Sequence, residues 1–306
     1  MSEFAKSKTP PGFSSPTALP KSLEEARQWQ EANRAWWEKH PMRYDFEKTL
    51  DVPEFSPEFY RHIDQRFFSD AKMFIPWKRI PFDKLIDFDE LTRQDVLEIG
   101  VGSGSHAQLL AEHARSFVGI DLTAYAVKST AERMRLRNLN VKIARMDAEN
   151  MEFESNSFDF IWSWGVIHHS SNTKKLLQEI QRVLRPGGRA VTMVYHRNFW
   201  NYVIVSALLH GILQGGFLKT GSLHNTRQLW IDGAIARFYS VSEWKALVTE
   251  FFAVESIQVY GSKAELIVLP KGRIKDFALS IFPDQLSRFF TNRCRMGTFL
   301  VTVLRK

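Results

Sequence analysis

The sequence predicts an α/β protein built on a doubly wound parallel sheet with helices on both faces, and three observations indicate this fold. From about residue 95, short apolar segments of strand length alternate with amphipathic segments of helix length. One apolar segment runs directly into a turn with three glycines at alternate positions, as ligand-binding turns of such sheets do. Hydrophobic residues make up 44% and charged residues 25% of the 306 residues, which excludes a disordered, collagenous or coiled-coil chain.

The N-terminal part lacks this alternation. Residues 1–20 are rich in proline, serine, threonine and lysine, which predicts a disordered leader. Ser22 followed by Glu25 is a capping-box pattern, so we expect a helix from there that stops before Pro41. Residues 42–90 are rich in aromatic residues and proline without a clear period. We therefore expect an N-terminal helical extension over residues 21–90 that packs on the domain after it.

The core elements follow in order along the rest of the chain. Apolar segments predict strands at 96–99, 117–120, 141–145, 158–164, 189–195, 254–260 and 298–304. Amphipathic segments predict helices at 105–114, 123–137, 173–184, 241–251 and 273–290. Residues 198–239 interrupt the alternation. We divide the chain into a cofactor-binding core at 91–197, a lid or substrate insertion at 198–239, and residues 240–306, which complete the sheet.

The turn after the first strand is the most informative segment. Glu98 stands at the end of the strand, and Gly100, Gly102 and Gly104 follow it. Residues 102–107 formally fit the dinucleotide fingerprint G-x-G-x-x-A, so NAD is one candidate cofactor. The carboxylate of Glu98 would repel a pyrophosphate, whereas it would attract the α-amino group of an amino-acid-like cofactor. The acid therefore favours the second kind of cofactor.

The ends of the next strands supply further cofactor candidates. Asp121 ends the second strand, where a carboxylate can accept hydrogen bonds from both hydroxyls of an adenosyl ribose or can cap the next helix. Asp147 follows the third strand and could bond an adenine amino group or cap a turn. Leu122, Ala148 and Trp164 lie beside these strand ends and complete the candidate cofactor set.

Six segments recur in the order and spacing of one family, at residues 98–104, 119–121, 146–148, 157–161, 166–169 and 183–188. The chain resembles the class I S-adenosylmethionine-dependent methyltransferases of type 11, in the subgroup similar to quinone-biosynthesis methylases. The resemblance covers about residues 60–260. It implies a Rossmann-like seven-stranded sheet whose last strand is antiparallel. It also implies S-adenosyl-L-methionine as cofactor and S-adenosyl-L-homocysteine as product, with Asp121 on the ribose, Asp147 on the adenine and the glycine turn around the methionine part.

Methyl transfer from a sulfonium mainly requires that donor and acceptor are aligned and water is excluded. A base is needed for a hydroxyl or an acidic carbon acceptor, whereas an amine can attack without one. The candidates near the carboxyl edge of the sheet are His168, Tyr195 and His196. His169 is a substrate-site candidate or a structural histidine, as in many family members. We expect no metal, because the side chains of His168 and His169 diverge and no third ligand is evident.

Substrate recognition is expected in the insertion at 198–239. Its apolar stretch at 202–218 is interpreted either as a lid helix buried on the core or as a helix that meets a lipid-like acceptor or a membrane surface. By the resemblance, the segment that follows contributes substrate-pocket candidates, unless these residues form a salt bridge that holds the lid. These candidates are Asp232, Arg237 and Tyr239. Tyr44 is expected to close the pocket from the other side, together with Trp36, Trp37 and Arg43.

The net charge of +7 is concentrated at one end of the chain, because residues 261–306 carry nine basic and three acidic side chains. Basic residues beside apolar ones at 273–290 suit an anionic membrane or a phosphorylated acceptor, or else form a solvated face. DNA or RNA is not expected as a partner. The single cysteine, Cys294, excludes an intrachain disulfide and suits a reducing compartment. We expect a cytoplasmic protein, with peripheral contact to the membrane as an alternative, and its oligomeric state stays open.

The sequence therefore predicts a methyltransferase that uses S-adenosylmethionine and methylates a small-molecule or lipid-linked acceptor, at oxygen or carbon rather than nitrogen. Three alternatives remain at this point: an RNA or protein methyltransferase, an NAD-dependent oxidoreductase, and a non-catalytic S-adenosylmethionine-binding protein.

Overall fold

A seven-stranded sheet forms the centre of the structure, a computed structural model that describes residues 9–44, 51–269 and 272–306. The strand order is β3-β2-β1-β4-β5-β7-β6. The strands are β1 Asp95–Ile99, β2 Ser116–Asp121, β3 Lys142–Arg145, β4 Phe158–Trp164, β5 Leu184–Tyr195, β6 Ala253–Tyr260 and β7 Phe299–Arg305. All seven predicted strands are present. β5 begins five residues earlier than predicted, and its pairing with β4 shifts register between Phe158 and Phe160.

The sheet is mixed in the way that the resemblance implies. Strands β1 to β5 pair in parallel, and β7 runs antiparallel between β5 and β6. The expected Rossmann-like sheet with an antiparallel last strand is confirmed. The strand order reverses between β1 and β4, and ligands of doubly wound sheets bind at such a switch point.

Helices cover both faces of the sheet and follow the predicted alternation, with additional short helices around the lid. They are α1 Leu23–Lys39, α2 Pro57–Phe74, α3 Phe88–Leu91, α4 Ser105–Ala111, α5 Ala124–Leu136, α6 Thr173–Val183, α7 Gly216–Thr220, α8 Leu223–Leu229, α9 Val241–Val248, α10 Lys263–Leu266, α11 Arg273–Ile281 and α12 Asp284–Arg288. A 3-10 turn lies at Ile167–His169, and π-helical segments lie at Phe199–Leu213 and Phe289–Arg293.

Two apolar cores lie on the two faces, because successive strand residues point to opposite sides. Leu97 belongs to the core that contains α6 and α9, where Trp244 is fully buried. Its neighbour Val96 belongs to the other core, which contains Phe67 of α2 and Leu110 of α4. The two faces are therefore closed by different parts of the chain, and the N-terminal extension closes the second.

The leader prediction is wrong for residues 9–20. Phe13 is only 3% exposed and meets Trp29 of α1 edge-on, with ring centroids 5.4 Å apart. The indole of Trp29 donates a hydrogen bond to Pro11 O at 2.8 Å, and the amide of Phe238 donates to Pro16 O at 3.0 Å. These partners are distant in sequence, so composition could not reveal them. Residues 1–8 lie outside the described residues.

The predicted long basic helix at 273–290 is also corrected. It is divided at Pro283 into α11 and α12, because proline lacks an amide hydrogen and its ring clashes with the preceding turn. Lys271, one of the basic residues in this region, lies outside the described residues. No helix within the described ranges is long and apolar enough to cross a bilayer.

Candidate active site

A cavity of about 410 Å³ lies where the parallel strands end, at the switch point of the sheet. Its floor comes from the turns after β1, β2, β3 and β4, and its walls include side chains of α1 and α2. This volume is within the range of small-molecule sites, roughly 300–1,000 Å³. The cavity therefore lies where the sequence predicts the cofactor.

The glycine turn after β1 lines the cavity through Gly100 and Gly102. Gly100 has φ +82°, and a Cβ there would lie 2.2 Å from Cγ2 of Val166, so only glycine fits. A Cβ on Gly102 would meet nothing within 4 Å, so this backbone is open to the cavity. Gly104, the third predicted glycine, does not line the cavity and instead precedes α4 in a left-handed conformation.

Asp121 lines the cavity and also fixes the turns around it. Its carboxylate accepts hydrogen bonds from the amide of Gly102 at 3.2 Å and from the amide and hydroxyl of Thr123 at 3.0 and 2.8 Å. Burial raises the pKa of Asp121, although these hydrogen bonds oppose the shift. The helix cap of α5 is Thr123, whose hydroxyl accepts from Ala126. Thr123, and not Asp121, is therefore the N-cap residue of α5.

Asp147 caps the turn after β3 and also lines the cavity. Its Oδ1 accepts from the amide of Glu149 and from the side-chain amide of Gln30 on α1, each at 2.8 Å. It lines the cavity together with other members of the predicted cofactor set, Leu122, Ala148 and Trp164. The structure therefore brings the ends of β2, β3 and β4 to one site.

Glu98 is 2% exposed and does not line the cavity. Its Oε2 has no hydrogen-bond partner in the described structure, and its Oε1 lies 3.9 Å from Nδ1 of His106, which does line the cavity. Burial and then the charge of Asp121 raise the pKa of Glu98, while burial and then Arg133 lower the pKa of His106 to about 3. A buried carboxyl oxygen without a partner behind the wall is compatible with a cationic ligand group nearby.

The structure does not support His168 and His196 as bases, because neither lines the cavity. His168 is fully buried behind the wall, with its ring centroid 3.9 Å from that of Tyr195, and burial lowers its pKa well below the usual value. The ring of His196 bonds Gly297 O at 2.9 Å, next to β7. Both predictions are corrected to structural positions, since a base must reach the proton that it removes.

Tyr195 does line the cavity, and its hydroxyl donates a hydrogen bond to Oδ1 of Asp232 at 2.8 Å. Asp232 and Tyr44, which are distant from each other in sequence, line it as well, as predicted. His169 is also in the wall, where its Nδ1 lies 2.6 Å from Ile235 O. These four residues form the candidate acceptor end of the site.

Arg237 and Tyr239 do not line the cavity, so their prediction as substrate residues is corrected. The guanidinium of Arg237 is fully buried and donates to the carbonyls of Ala18, Ser170 and Ser171. It joins the N-terminal segment to the turn after β4, rather than forming the alternative salt bridge. Tyr239 donates to the hydroxyl of Thr173 at 2.9 Å.

Several wall residues were not predicted from the sequence, because they lie on the N-terminal extension and on β7. They are Gln30, Asn33, Phe67, Asp70, Phe74 and Phe299. In α2 the residues Phe59, Ile63 and Phe67 are buried at helical spacing, but the aromatic residues around them obscure this period in the sequence, and no local pattern shows that the helix borders the site. Among the described residues, no group of three His, Cys, Asp or Glu side chains could hold a metal ion.

Residues 97–192 match the family model of a methyltransferase domain. A segment of 108 residues is 35% identical to phosphoethanolamine N-methyltransferase 2 of Caenorhabditis elegans and covers 35% of this chain and 25% of that protein. A segment of 101 residues is 37% identical to a phthiotriol/phenolphthiotriol dimycocerosates methyltransferase of Mycobacterium tuberculosis and covers 32% of this chain and 37% of that protein. The chain thus matches only a quarter to somewhat over a third of the length of these curated relatives.

A solved structure extends the similarity of fold beyond this core. The crystal structure of the [4+2]-cyclase SpnF superposes with a TM-score of 0.51 at 13% identity and covers 95% of this chain and 99% of that one. At this identity the likeness concerns the fold alone.

Proposed function

We propose that this chain, which carries a class I S-adenosylmethionine-dependent methyltransferase domain, transfers a methyl group from S-adenosyl-L-methionine to a small-molecule or lipid-linked acceptor. The observation that carries the proposal is the joint placement of an open glycine turn and the Asp121 carboxylate in one cavity, within the segment that matches the family. The relatives named above act, by their names, on phosphoethanolamine and on a dimycocerosate lipid, which supports acceptors of these two general kinds.

The wall residues fit the proposed cofactor. Gly102 leaves room for close approach of a ligand to the backbone. Asp121 offers a half-buried carboxylate for ribose hydroxyls, and Asp147 offers one for an adenine amino group. When bound, S-adenosylmethionine supplies an electrophilic methyl carbon on a sulfonium. The chain has to hold donor and acceptor in line and to exclude water.

For a hydroxyl or ammonium acceptor the site also has to remove a proton. We assign this task to Asp232, which lines the cavity. Tyr195 positions the carboxylate of Asp232 through the 2.8 Å hydrogen bond. The pKa of Tyr195 is raised well above its usual value by burial and by Asp232, so the phenol remains a donor at neutral pH. Asp232 thereby keeps one oxygen bonded to the protein and the other available to a ligand.

Calorimetry with S-adenosylmethionine and S-adenosylhomocysteine tests cofactor binding. We expect micromolar affinity for both, and we expect Asp121→Ala to weaken it at least tenfold, because a charged hydrogen-bond acceptor contributes about 1.5–3 kcal/mol. The matched control is Asp276→Ala, an exposed acid on α11. Binding of NAD in place of these ligands would favour the oxidoreductase, and no binding of either adenosyl ligand would refute the proposal.

Labelled S-adenosylmethionine then separates the remaining alternatives. Fractions of cell extract that contain small molecules, lipids, RNA and protein are incubated with the full chain, and we expect the label in the small-molecule or lipid fraction. Label confined to RNA or protein would favour the macromolecular alternative. Cofactor binding without labelling of any fraction would favour the non-catalytic one.

The C-terminal region suggests, in addition, that the protein contacts an anionic membrane. Helix α11 buries none of its side chains, and three apolar ones on one face are strongly exposed: Ile274 by 77%, Phe277 by 66% and Ile281 by 64%. Arg273 and Lys275 flank this row. Apolar side chains in water beside basic ones suit an acyl–headgroup boundary with negative charge.

A further inference from the structure

The order of the strands indicates which part of the cavity the cofactor candidates occupy and which part is left for the acceptor. Asp121 ends β2 and Tyr195 ends β5, with β1 and β4 between these two strands. Strands are about 4.8 Å apart, so three steps place these two ends about 14 Å from each other. Apart from Trp164 at the end of β4, the cofactor candidates lie over β1 to β3. The acceptor must therefore lie over β4, β5 and β7.

Carboxylates flank the acceptor end. Asp232 lines the cavity beside Tyr195, and Asp70 of α2 lines it while remaining exposed to solvent, which places Asp70 at the opening. Tyr44 lies within electrostatic reach of both: burial raises its pKa most, and the charges of Asp232 and Asp70 raise it further. A ligand beside Tyr44 therefore lies close to two negative charges.

Aromatic rings make up much of the remaining wall at this end. Phe299 stacks on Phe74 with ring centroids 4.3 Å apart, and Trp164 approaches Phe299 edge-on at 6.2 Å. Tyr44 packs against Phe67 at 5.3 Å. The faces of aromatic rings attract cations, and sites for ammonium ligands combine such faces with carboxylates.

Two arginines stand near these carboxylates but outside the wall. Burial raises the pKa of Asp70, and Arg66, which opposes part of this shift, also donates to the carbonyl of Tyr44. Arg227 is half-buried near Asp232, with its guanidinium 5.5 Å from the ring centroid of Phe238. Both guanidiniums lie outside the wall and neutralise part of the negative charge of Asp70 and Asp232. The charged side chains that face the cavity among the described wall residues are all carboxylates: Asp70, Asp121, Asp147 and Asp232.

We infer that the acceptor is an amine, bound as its ammonium form between Asp232, Asp70 and the aromatic wall, and methylated on nitrogen. This inference rests on the proposed function and departs from the expectation of oxygen or carbon, because the sequence did not reveal Asp70 or the aromatic wall. It also disfavours acceptors whose reacting end carries a phosphate or carboxylate, since four carboxylates face the same cavity.

The chemistry balances without any further reactant. The ammonium first passes one proton to the carboxylate of Asp232, which leaves a neutral amine with a lone pair. The amine nitrogen then forms a bond to the methyl carbon while the bond from that carbon to sulfur breaks, with its electron pair remaining on sulfur. The positive charge thus moves from sulfur to the methylated nitrogen, and the carboxylates stabilise it there.

A matched pair of probes tests this inference: choline and 3,3-dimethylbutan-1-ol, which have the same shape but differ by the positive charge. Calorimetry on the full chain loaded with S-adenosylhomocysteine should show choline binding about tenfold more tightly. Asp232→Asn keeps an acceptor for Tyr195 but removes the charge, so it should reduce the preference to about twofold. Asp70→Asn, at the exposed opening, serves as a second variant if the first is unstable, and Asp276→Asn serves as the control.

Equal affinity for the two probes, preference for the alcohol, or no choline binding at millimolar concentration would overturn the inference. Binding of S-adenosylhomocysteine in the same titration keeps this failure separate from a failure of the proposed function. Labelled methyl transfer to 2-phenylethylamine but not to 2-phenylethanol would support the inference, and the reverse would overturn it.

Discussion

Single residues in this protein show that burial, rather than position in the sequence, shifts the pKa of a carboxyl group. Burial is the largest cause that raises the pKa of Asp121, Glu98 and Glu149, each of which stands near the predicted cofactor site. The positions of Asp121 and Glu98 at strand ends were predictable from the sequence. Their burial was not, since it depends on the helices that cover them.

Glu265 of α10 does not line the cavity and offers a test of this effect on stability. Its Oε2 is enclosed without a partner and its Oε1 accepts from the hydroxyl of Thr298, while burial raises its pKa to about 7. Because the folded-state pKa lies above the ordinary value of 4.5, its contribution to stability is full below that value and is lost as pH rises through about 7.

We expect the free energy of unfolding to lose up to about 3 kcal/mol from this group between pH 5 and pH 8. Glu265→Gln should remove this part of the pH dependence and be more stable than the natural chain at pH 8. Urea unfolding at the two pH values measures it. Glu152→Gln, at an exposed position, is the control, and an unchanged pH dependence in Glu265→Gln would contradict the prediction.

At the level of elements, helix α1 does more than extend the domain. Gln30, Asn33 and Trp37 on one of its faces line the cavity, and Glu38 near its end accepts from the first amides of α5. The N-cap at Ser22 was predictable, because a local pattern of side chains specifies it, although the side chain of Glu25 accepts from the amide of Lys21 and does not complete a capping box. The partners of the helix were not, since they come from elements 80 to 200 residues away in sequence.

Asn33 tests whether α1 stabilises the site. Its amide group donates to His169 O and accepts from the amide of Ile235 at 3.3 Å, so it joins α1 to the turn after β4 and to the lid. Asn33→Ala would remove two hydrogen bonds to backbone groups of other segments, which should lower the free energy of unfolding by about 3 kcal/mol. Urea unfolding measures this.

Asn140→Ala, at an exposed position, is the matched control and should have little effect. A loss below about 1 kcal/mol for Asn33→Ala would mean that water replaces the amide and that α1 is only loosely attached. Cofactor affinity of the same variant reports whether the turn at His169 has also moved.

The whole molecule has its exposed apolar side chains concentrated in the lid and the C-terminal helices. In the lid they include Leu208, Ile212, Leu213 and Leu218, and on α11 they are the row Ile274, Phe277 and Ile281. Six of the seven net positive charges also belong to residues 261–306. Apolar surface and positive charge thus coincide in the C-terminal part of the chain, as the proposed contact with an anionic membrane requires.

Sedimentation with vesicles tests that contact. The full chain should bind vesicles of phosphatidylglycerol and phosphatidylcholine more tightly than pure phosphatidylcholine, and high salt should weaken binding. The double variant Phe277→Asp and Ile281→Asp should weaken it at least tenfold, because each buried side chain of this size contributes about 1.5–3 kcal/mol. Leu23→Asp, at an exposed apolar position on α1, is the control. Equal sedimentation of the double variant and the natural chain would refute the contact.

The sequence by itself determined the sheet and the residues of the proposed cofactor half of the cavity. Strand alternation and the turn residues are local signals, and the carboxyl ends of parallel strands necessarily meet at one edge, so Gly102, Asp121 and Asp147 could be assembled without coordinates. Only the tertiary structure decided which residues line the proposed acceptor half. It showed that His168 and His196 are buried behind the wall and that Asp70 and the aromatic rings of α2 and β7 face the cavity. These placements depend on packing between distant segments, and no local pattern in the chain specifies such packing.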